Sequence, residues 1–243
     1  MNFENTVSKS DNLEILKHIE SETIDLIYID PPFFSGKDYG EFNDIWKTIA
    51  DYVLYMLKRI VQMYRVLKPT GSLYCQCDES AKFELKPLFD RSFGKKNFRR
   101  EIIWNNKSVS GFKSQVKGWV RQHDTLLYYI KSNDFTFNKQ YRKDKPNVRL
   151  GSVWNDIYSY QTRSRLKENY GYPTQKPLDL IKRIVLASSN EGDLVADFFC
   201  GSGTTLVACK KLNRRWLGVD NNKTAVDLSL KRLSLIHDVN KLI

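Results

Sequence analysis

Hydrophobic and polar residues follow one another along this chain in a pattern that predicts strands separated by helices. Residues 24–30, Ile-Asp-Leu-Ile-Tyr-Ile-Asp, form a nearly continuous apolar run rich in β-branched side chains, which is typical of a strand buried on both faces. In residues 48–67 the apolar side chains recur at helical spacing, and Lys68-Pro69-Thr70-Gly71 ends the predicted helix. Further strands are predicted at 72–77, 102–104, 126–130, 194–199 and 216–219, and further helices at 178–189, 204–212 and 224–236.

This alternation predicts a single α/β domain over residues 1–243, built on a doubly wound, mostly parallel sheet. Residues 131–172 are polar, basic and only weakly periodic, so we interpret them as a short insertion or surface lobe of that domain. In such sheets ligands bind at the carboxyl ends of the strands. Two of the predicted strand ends carry unusual residues.

The positive charge of the chain is concentrated in its middle third. The 39 Lys and Arg residues outnumber the 28 Asp and Glu residues, which gives a net charge of +11. Residues 91–176 alone hold 19 basic and 6 acidic residues, interleaved with aromatic side chains. Cations for phosphates and flat rings for bases are typical of nucleic-acid surfaces, so we interpret this region as one.

Composition also excludes several classes of protein. Four cysteines in 243 residues do not indicate a disulfide framework. The first twelve residues are polar and lack a signal-peptide stretch, and Lys58, Arg59 and Arg65 interrupt the longest apolar helix candidate. We therefore expect a soluble cytoplasmic protein without a membrane span.

The first unusual strand end is Asp30-Pro31-Pro32-Phe33. Two prolines fix the backbone and remove two donors, so the turn is rigid and its carbonyls have no strand to pair with. Asp30 and the Pro31 carbonyl can then both act as acceptors beside the Phe33 ring. This set is complementary to a planar heterocycle with an exocyclic amine, and fixed acceptors stabilise the positive charge that develops when such an amine attacks a methyl group. The alternative interpretation is a plain strand-ending turn that starts with Asp.

The second strand end runs from Asp197 through Gly201-Ser202-Gly203 into a predicted helix. The glycines allow close approach of a ligand, and the helix offers free amide donors. Leu206 stands where a dinucleotide motif requires a third glycine, and no lysine completes a Walker loop. Asp220 ends the next strand, where an acidic residue typically binds ribose hydroxyls, so the cofactor is expected to contain a nucleoside.

Together these motifs resemble those of the S-adenosylmethionine-dependent DNA amino-methyltransferases. Asp30-Pro31-Pro32-Phe33 is similar to the family's Asp-Pro-Pro-Tyr/Phe catalytic motif, and residues 197–203 to its Phe-x-Gly-x-Gly cofactor motif. Residues 172–177, Tyr-Pro-Thr-Gln-Lys-Pro, resemble the segment that precedes the cofactor motif in permuted members. Residues 10–16 resemble the segment whose acidic residue reaches the cofactor adenine, with Ser10 in place of the more usual glycine. The catalytic motif comes first, as in the β arrangement, and the resemblance implies a Rossmann-like sheet with this permuted order.

The resemblance also implies roles for the matching residues. Asp30 and the Pro31 carbonyl would hold the target amine, with Pro32 completing the turn and Phe33 stacking on the base. The implied cofactor site comprises Asp11, Asn12, Thr174, Gln175, Lys176, Asp197, Phe199, Gly201, Ser202, Gly203, Thr204 and Asp220. In it Asp197 would lie near the cofactor's amino group, Lys176 would meet its carboxylate, and Asp220 would bind the ribose. No metal is implied, and the target base would have to be flipped out of the duplex.

The resemblance therefore predicts an enzyme that methylates the 6-amino group of adenine at specific sites in double-stranded DNA, bound through residues 91–176. Adenine is favoured because the catalytic motif begins with Asp, whereas Ser is more usual in enzymes for cytosine. The alternatives are the 4-amino group of cytosine, an RNA substrate, and a catalytically silent nucleic-acid-binding subunit. Because the 131–172 segment is short for reading several base pairs, we expect a homodimer or a restriction or specificity partner to assist. We expect a cytoplasmic, nucleoid-associated protein in a prokaryotic cell or a viral host cell.

Overall fold

A computed structural model describes residues 3–36, 44–107, 115–160 and 169–236. Its strands are β1 (Thr6–Lys9), β2 (Ile24–Ile29), β3 (Leu67–Cys77), β4 (Phe98–Asn105), β5 (His123–Ile130), β6 (Val153–Trp154), β7 (Leu194–Asp197) and β8 (Arg215–Asp220). Its α-helices are α1 (Asn12–His18), α2 (Ile49–Val66), α3 (Glu79–Phe93), α4 (Leu178–Ser188), α5 (Thr204–Lys211) and α6 (Lys223–Ser234). None of these helices combines the length and apolar character that a membrane span requires.

The eight strands form one sheet in the order β1-β8-β7-β2-β3-β5-β4-β6. Within this sheet β5 runs antiparallel to both of its neighbours, and the other pairings are parallel. The predicted doubly wound, mostly parallel α/β fold is therefore confirmed. The strand that carries Asp30 at its end, β2, pairs with β7, which carries Asp197 at its end. This adjacency brings the two motifs to one edge of the sheet.

Helices cover both faces of the sheet. One apolar cluster joins the sheet to α1, α2 and α3 through residues such as Leu16, Met56 and Leu85. A second cluster joins the other face to α4, α5 and α6 through residues such as Ile184 and Val207. Burial of these side chains is the main favourable contribution to folding. It also holds the strand ends in fixed relative positions.

Most predicted elements appear within a few residues of their expected bounds. The helix predicted at 48–67 is α2, which begins with a capping box between Thr48 and Asp51. The strand predicted at 72–77 begins earlier, at Leu67. Helix α3 was not predicted because it contains Pro87 and many polar residues; Asp78 caps it by accepting from two amides, and its buried face provides the stabilisation that its propensity lacks.

Candidate active site

The two motif-bearing strand ends open into one cavity of about 1200 Å³. Every site residue proposed from the sequence lines this cavity except Gly203. Gly203 instead caps α5 with a left-handed backbone (φ 74°), where a Cβ would lie 2.5 Å from Oγ of Ser229. Only glycine fits there, so Gly203 shapes the loop, and its contact with a cofactor stays a prediction.

The turn that follows Asp30 is held rigidly by a residue outside the motif. Asp44 is buried, and its carboxylate accepts hydrogen bonds from the three successive backbone amides of residues 33–35, at 2.8–3.1 Å. The same carboxylate accepts from Trp46 Nε1 at 3.0 Å. On the other side Tyr52 donates its hydroxyl to the Pro32 carbonyl at 2.9 Å. These contacts leave the catalytic turn little freedom, which is the preorganisation that transfer to a weak nucleophile requires.

Only one of the two carboxylate oxygens of Asp30 has a hydrogen-bond partner among the described residues. Its Oδ2 accepts a hydrogen bond from the ammonium group of Lys176, whereas the buried Oδ1 has no hydrogen-bond partner among the described residues. Burial raises the pKa of Asp30 to about 6, and the nearby Lys176 opposes that rise. The carboxylate is therefore ionised at neutral pH and presents one oxygen to a donor. Lys176, proposed to meet the cofactor carboxylate, here contacts Asp30.

Asp197 and Asp220 hold the glycine loop from two sides. Asp197 accepts from Phe199 N at 3.0 Å and from Thr205 Oγ1 at 2.5 Å, and burial raises its pKa to about 7. Asp220 accepts from Gly201 N at 2.8 Å, and burial raises the pKa of this carboxyl also. Both carboxylates therefore shape the loop, and Asp220 lies at the end of β8, beside the loop that it binds.

Arg59 is a part of the site that the sequence did not reveal. It donates to both oxygens of Asp11 at 2.6 and 2.8 Å and, through Nε, to Asn12 Oδ1 at 2.6 Å. Asn12 in turn donates to the Phe198 carbonyl at 2.5 Å. The signal was available, because Arg59 interrupts the apolar face of a helix, where an arginine is rarely buried without partners.

Arg232 supports the glycine loop from α6. It is buried and donates to the Ser202 carbonyl at 2.5 Å and to Thr204 Oγ1 at 3.0 Å. Nothing in the local sequence distinguishes it from the exposed basic residues of the same helix. Its contacts fix the start of α5, where Thr204 and Thr205 line the cavity.

The cavity fits a nucleoside-containing cofactor without a pyrophosphate. A tight glycine loop and a carboxylate at the next strand end are the pieces that such a cofactor needs, and they share the cavity with the Asp30-Pro31-Pro32-Phe33 turn. The fold and site thus define a methyltransferase that uses S-adenosylmethionine to modify an exocyclic amine.

Comparisons with known proteins identify the family. Residues 24–231 match the family model described as DNA methylase, which covers N6 and N4 enzymes. Type II methyltransferase M.HpaI of Haemophilus parainfluenzae is 34% identical over 235 residues, covering 92% of this chain and 72% of that protein. DNA adenine methyltransferase YhdJ of Escherichia coli K12 is 31% identical over 253 residues, covering 95% and 83%. The chain belongs to the N6/N4 DNA methylase family and is an S-adenosylmethionine-dependent DNA methyltransferase.

Solved structures share the fold. A complex of M1.HpyAVI with S-adenosylmethionine superposes with a TM-score of 0.69 at 22% identity, covering 95% of this chain and 99% of that one. The cytosine-N4-specific PvuII DNA methyltransferase gives a TM-score of 0.68 at 20% identity, covering 96% and 87%. The expected fold, family and cofactor are confirmed.

Proposed function

We propose that the enzyme methylates the 6-amino group of adenine in a nucleotide flipped out of double-stranded DNA. The observation that carries this proposal is the unengaged, buried Oδ1 of Asp30, fixed on a rigid turn within the cofactor cavity. A buried carboxylate oxygen that accepts no hydrogen bond lowers the stability of the folded protein, and an N–H donated by a bound amine would remove this penalty. Adenine is favoured by the Asp that opens the motif, and the relative YhdJ carries the name of an adenine enzyme.

One set of cavity residues would bind the cofactor, and another would bind the target base. When bound, S-adenosylmethionine supplies a methyl group on a sulfonium leaving group. The glycine loop, Asp220 and the Asp11–Asn12–Arg59 group would hold it. Asp30 would accept an N–H of the target amine, stabilise the charge developing on its nitrogen and afterwards take the proton at Oδ1. Phe33 would stack against the base.

Nucleoside mass spectrometry tests the choice of base. Genomic DNA from cells that express the enzyme is digested and compared with DNA from cells that express the Asp30→Ala variant. We expect N6-methyladenine with the wild type only. Methylation of cytosine at N4 with no methyladenine would contradict the adenine proposal. Cytosine is the second candidate because its 4-amino group fits the same acceptors, Asp30 and the Pro31 carbonyl. No modified base with either protein would favour a catalytically silent subunit, and modification of RNA alone would refute the DNA substrate.

The DNA contacts are proposed to come from residues 91–176, which carry a net charge of +13 in a chain whose overall net charge is +11. Among the described residues of this region, Trp119 is fully exposed and Arg121 lines the catalytic cavity. An exposed tryptophan suits contact with unstacked bases, whereas Arg121 is paired with Asp78 at 2.6 Å. We further propose that a second copy or a specificity partner contributes to sequence recognition; light scattering of the DNA complex would give two copies per site in the first case.

A further inference from the structure

A second cavity, of about 460 Å³, shares no lining residue with the catalytic cavity. Its walls come from β4, from the 135–152 segment and from the C-terminal half of α4. None of the site residues discussed above lines it. Its volume falls in the range of small-molecule sites.

The lining of this cavity is strongly cationic. It includes Arg99, Arg100, Arg149 and Arg183, and no described Asp or Glu contributes to it. Arg183 is neutralised by Asp156, with contacts at 3.0 and 2.5 Å. The other three arginines have no carboxylate within ion-pair distance in the described part of the chain. Three such guanidinium groups around one opening are complementary to an anion, because they can donate to it without first breaking an ion pair.

An irregularity in the sheet brings two of these arginines to the same cavity. Phe98 pairs with Tyr129 and Arg100 with Tyr128, so Arg99 is an extra residue in β4. Successive residues of a regular strand point to opposite faces, whereas a bulge re-aims one of them. Arg99 and Arg100 consequently both line the cavity.

Aromatic rings complete the lining. The Tyr128 and Phe137 rings lie 6.3 Å apart with an interplanar angle of 30°, and Phe137 is 40% exposed. The Arg99 guanidinium lies 5.0 Å from the centre of the Phe135 ring. An exposed ring beside unpaired guanidinium groups can bind a flat heterocycle that carries a phosphate.

The wall formed by the 135–152 segment is anchored to the domain. Asn138 N donates to the Ala187 carbonyl at 2.7 Å, and Asn138 Nδ2 donates to the Leu186 carbonyl at 3.1 Å. Leu150 N donates to the Gln140 carbonyl at 2.8 Å, which closes the segment on itself. The cavity is therefore formed in advance of binding, so little ordering opposes a ligand.

We propose that this second cavity binds a nucleoside phosphate, with the phosphate on the arginines and the base against Phe137. Arginine forms paired, charge-assisted hydrogen bonds to phosphate oxygens, and the ring adds a contact that a bare anion cannot use. The ligand could arrive as a free mononucleotide or as the 5′-phosphorylated end of a strand, since both present the same group. A nucleoside phosphate in the second cavity would leave the catalytic cavity open, so it and S-adenosylmethionine would bind independently.

Calorimetric titration with AMP tests the proposal. The enzyme is first saturated with S-adenosylmethionine, so that AMP cannot report on the catalytic cavity. We expect saturable binding that Arg100→Ala and Arg149→Ala each weaken at least tenfold. Arg142→Ala is the matched control, because Arg142 lies in the same segment, is paired with Asp144 at 2.6 Å and does not line the cavity. Phe137→Leu should weaken AMP binding while leaving the weaker binding of inorganic phosphate unchanged.

Three results would overturn the proposal: no saturable AMP binding at millimolar concentration, equal loss in Arg142→Ala, or full displacement of AMP by additional S-adenosylmethionine. Thermal melting of each variant establishes that it is folded. If Arg100→Ala, in β4, does not fold, Arg149→Ala provides the test, because Arg149 lies in an exposed loop. A 5′-phosphorylated trinucleotide distinguishes the source of the ligand. Tighter binding than AMP identifies a strand end, and equal or weaker binding identifies a free nucleotide.

Discussion

Replacement of Asp30 by Asn should stabilise the enzyme while inactivating it, and the gain in stability should depend on pH. Burial raises the pKa of Asp30 from 3.8 to about 6, so the folded protein holds this proton more tightly than the unfolded chain. The stability that this proton contributes is complete below pH 3.8 and is lost as the pH rises through about 6. Asparagine is neutral at every pH and avoids that loss.

The size of the effect follows from the two pKa values. Their difference corresponds to at most roughly 3 kcal/mol at about 1.4 kcal/mol per pH unit, because asparagine also leaves the Lys176 ammonium group without its carboxylate partner. About half of this difference is present at pH 5 and nearly all at pH 8. For a chain of this length the full value corresponds to a rise in Tm of about 6–12 °C.

The assay is denaturant unfolding of both proteins from pH 5 to pH 8. The control is Asp227→Asn, which removes the same charge from an exposed position on α6 and should change the free energy of unfolding by less than about 0.5 kcal/mol throughout. A stability difference between wild type and Asp30→Asn that stays constant with pH, or that shrinks as pH rises, would refute the raised pKa of the Asp30 carboxyl group.

Three other predictions concern the residues around the site. Asp44→Asn places an NH2 group opposite backbone donors, so we expect the free energy of unfolding to fall by about 2–4 kcal/mol. We also expect kcat to fall at least tenfold while the cofactor affinity is retained. An unchanged kcat would contradict the positioning role of Asp44. Arg59→Gln should raise the Kd of S-adenosylmethionine, measured by calorimetry, about tenfold, because Asp11 and Asn12 lose their donor. The control Lys58→Gln, at an exposed neighbouring position, should leave this Kd unchanged. Equal effects of the two substitutions would disprove the role of Arg59 in holding Asp11 and Asn12. DNA affinity should fall about 100-fold between 50 and 200 mM salt if four phosphates are contacted; an affinity independent of salt would remove the basic region from the DNA surface.

The catalytic and cofactor motifs could be predicted because each lies at the end of one strand and is contiguous in sequence. An apolar run that ends in Asp30-Pro31-Pro32 or in a Gly-x-Gly turn is unusual in itself, and parallel strands place both at one edge of the sheet. The adjacency of β2 and β7 then brings the two motifs into one cavity.

The supporting residues could not be predicted because their contacts form only when separate parts of the chain fold together. Arg59 binds Asn12 across 47 positions, and Asp44 acts only when the chain folds back on the catalytic turn. Lys176 contacts Asp30, 146 positions away, and its expected contact with the cofactor carboxylate stays a prediction. Such contacts depend on the packing of helices on the sheet, which periodicity does not specify. The role of residues 131–172 in reading DNA stays a prediction.

The central claim is that the strand end at Asp30 performs the chemistry while its neighbour at Gly201 holds the cofactor. Its most direct test is to measure cofactor affinity and single-turnover methyl transfer on the Asp30→Ala enzyme. We predict a Kd for S-adenosylmethionine within about threefold of the wild type and a methyl-transfer rate reduced at least 100-fold. Retained methyl transfer, or loss of both properties to the same extent, would contradict this division of roles.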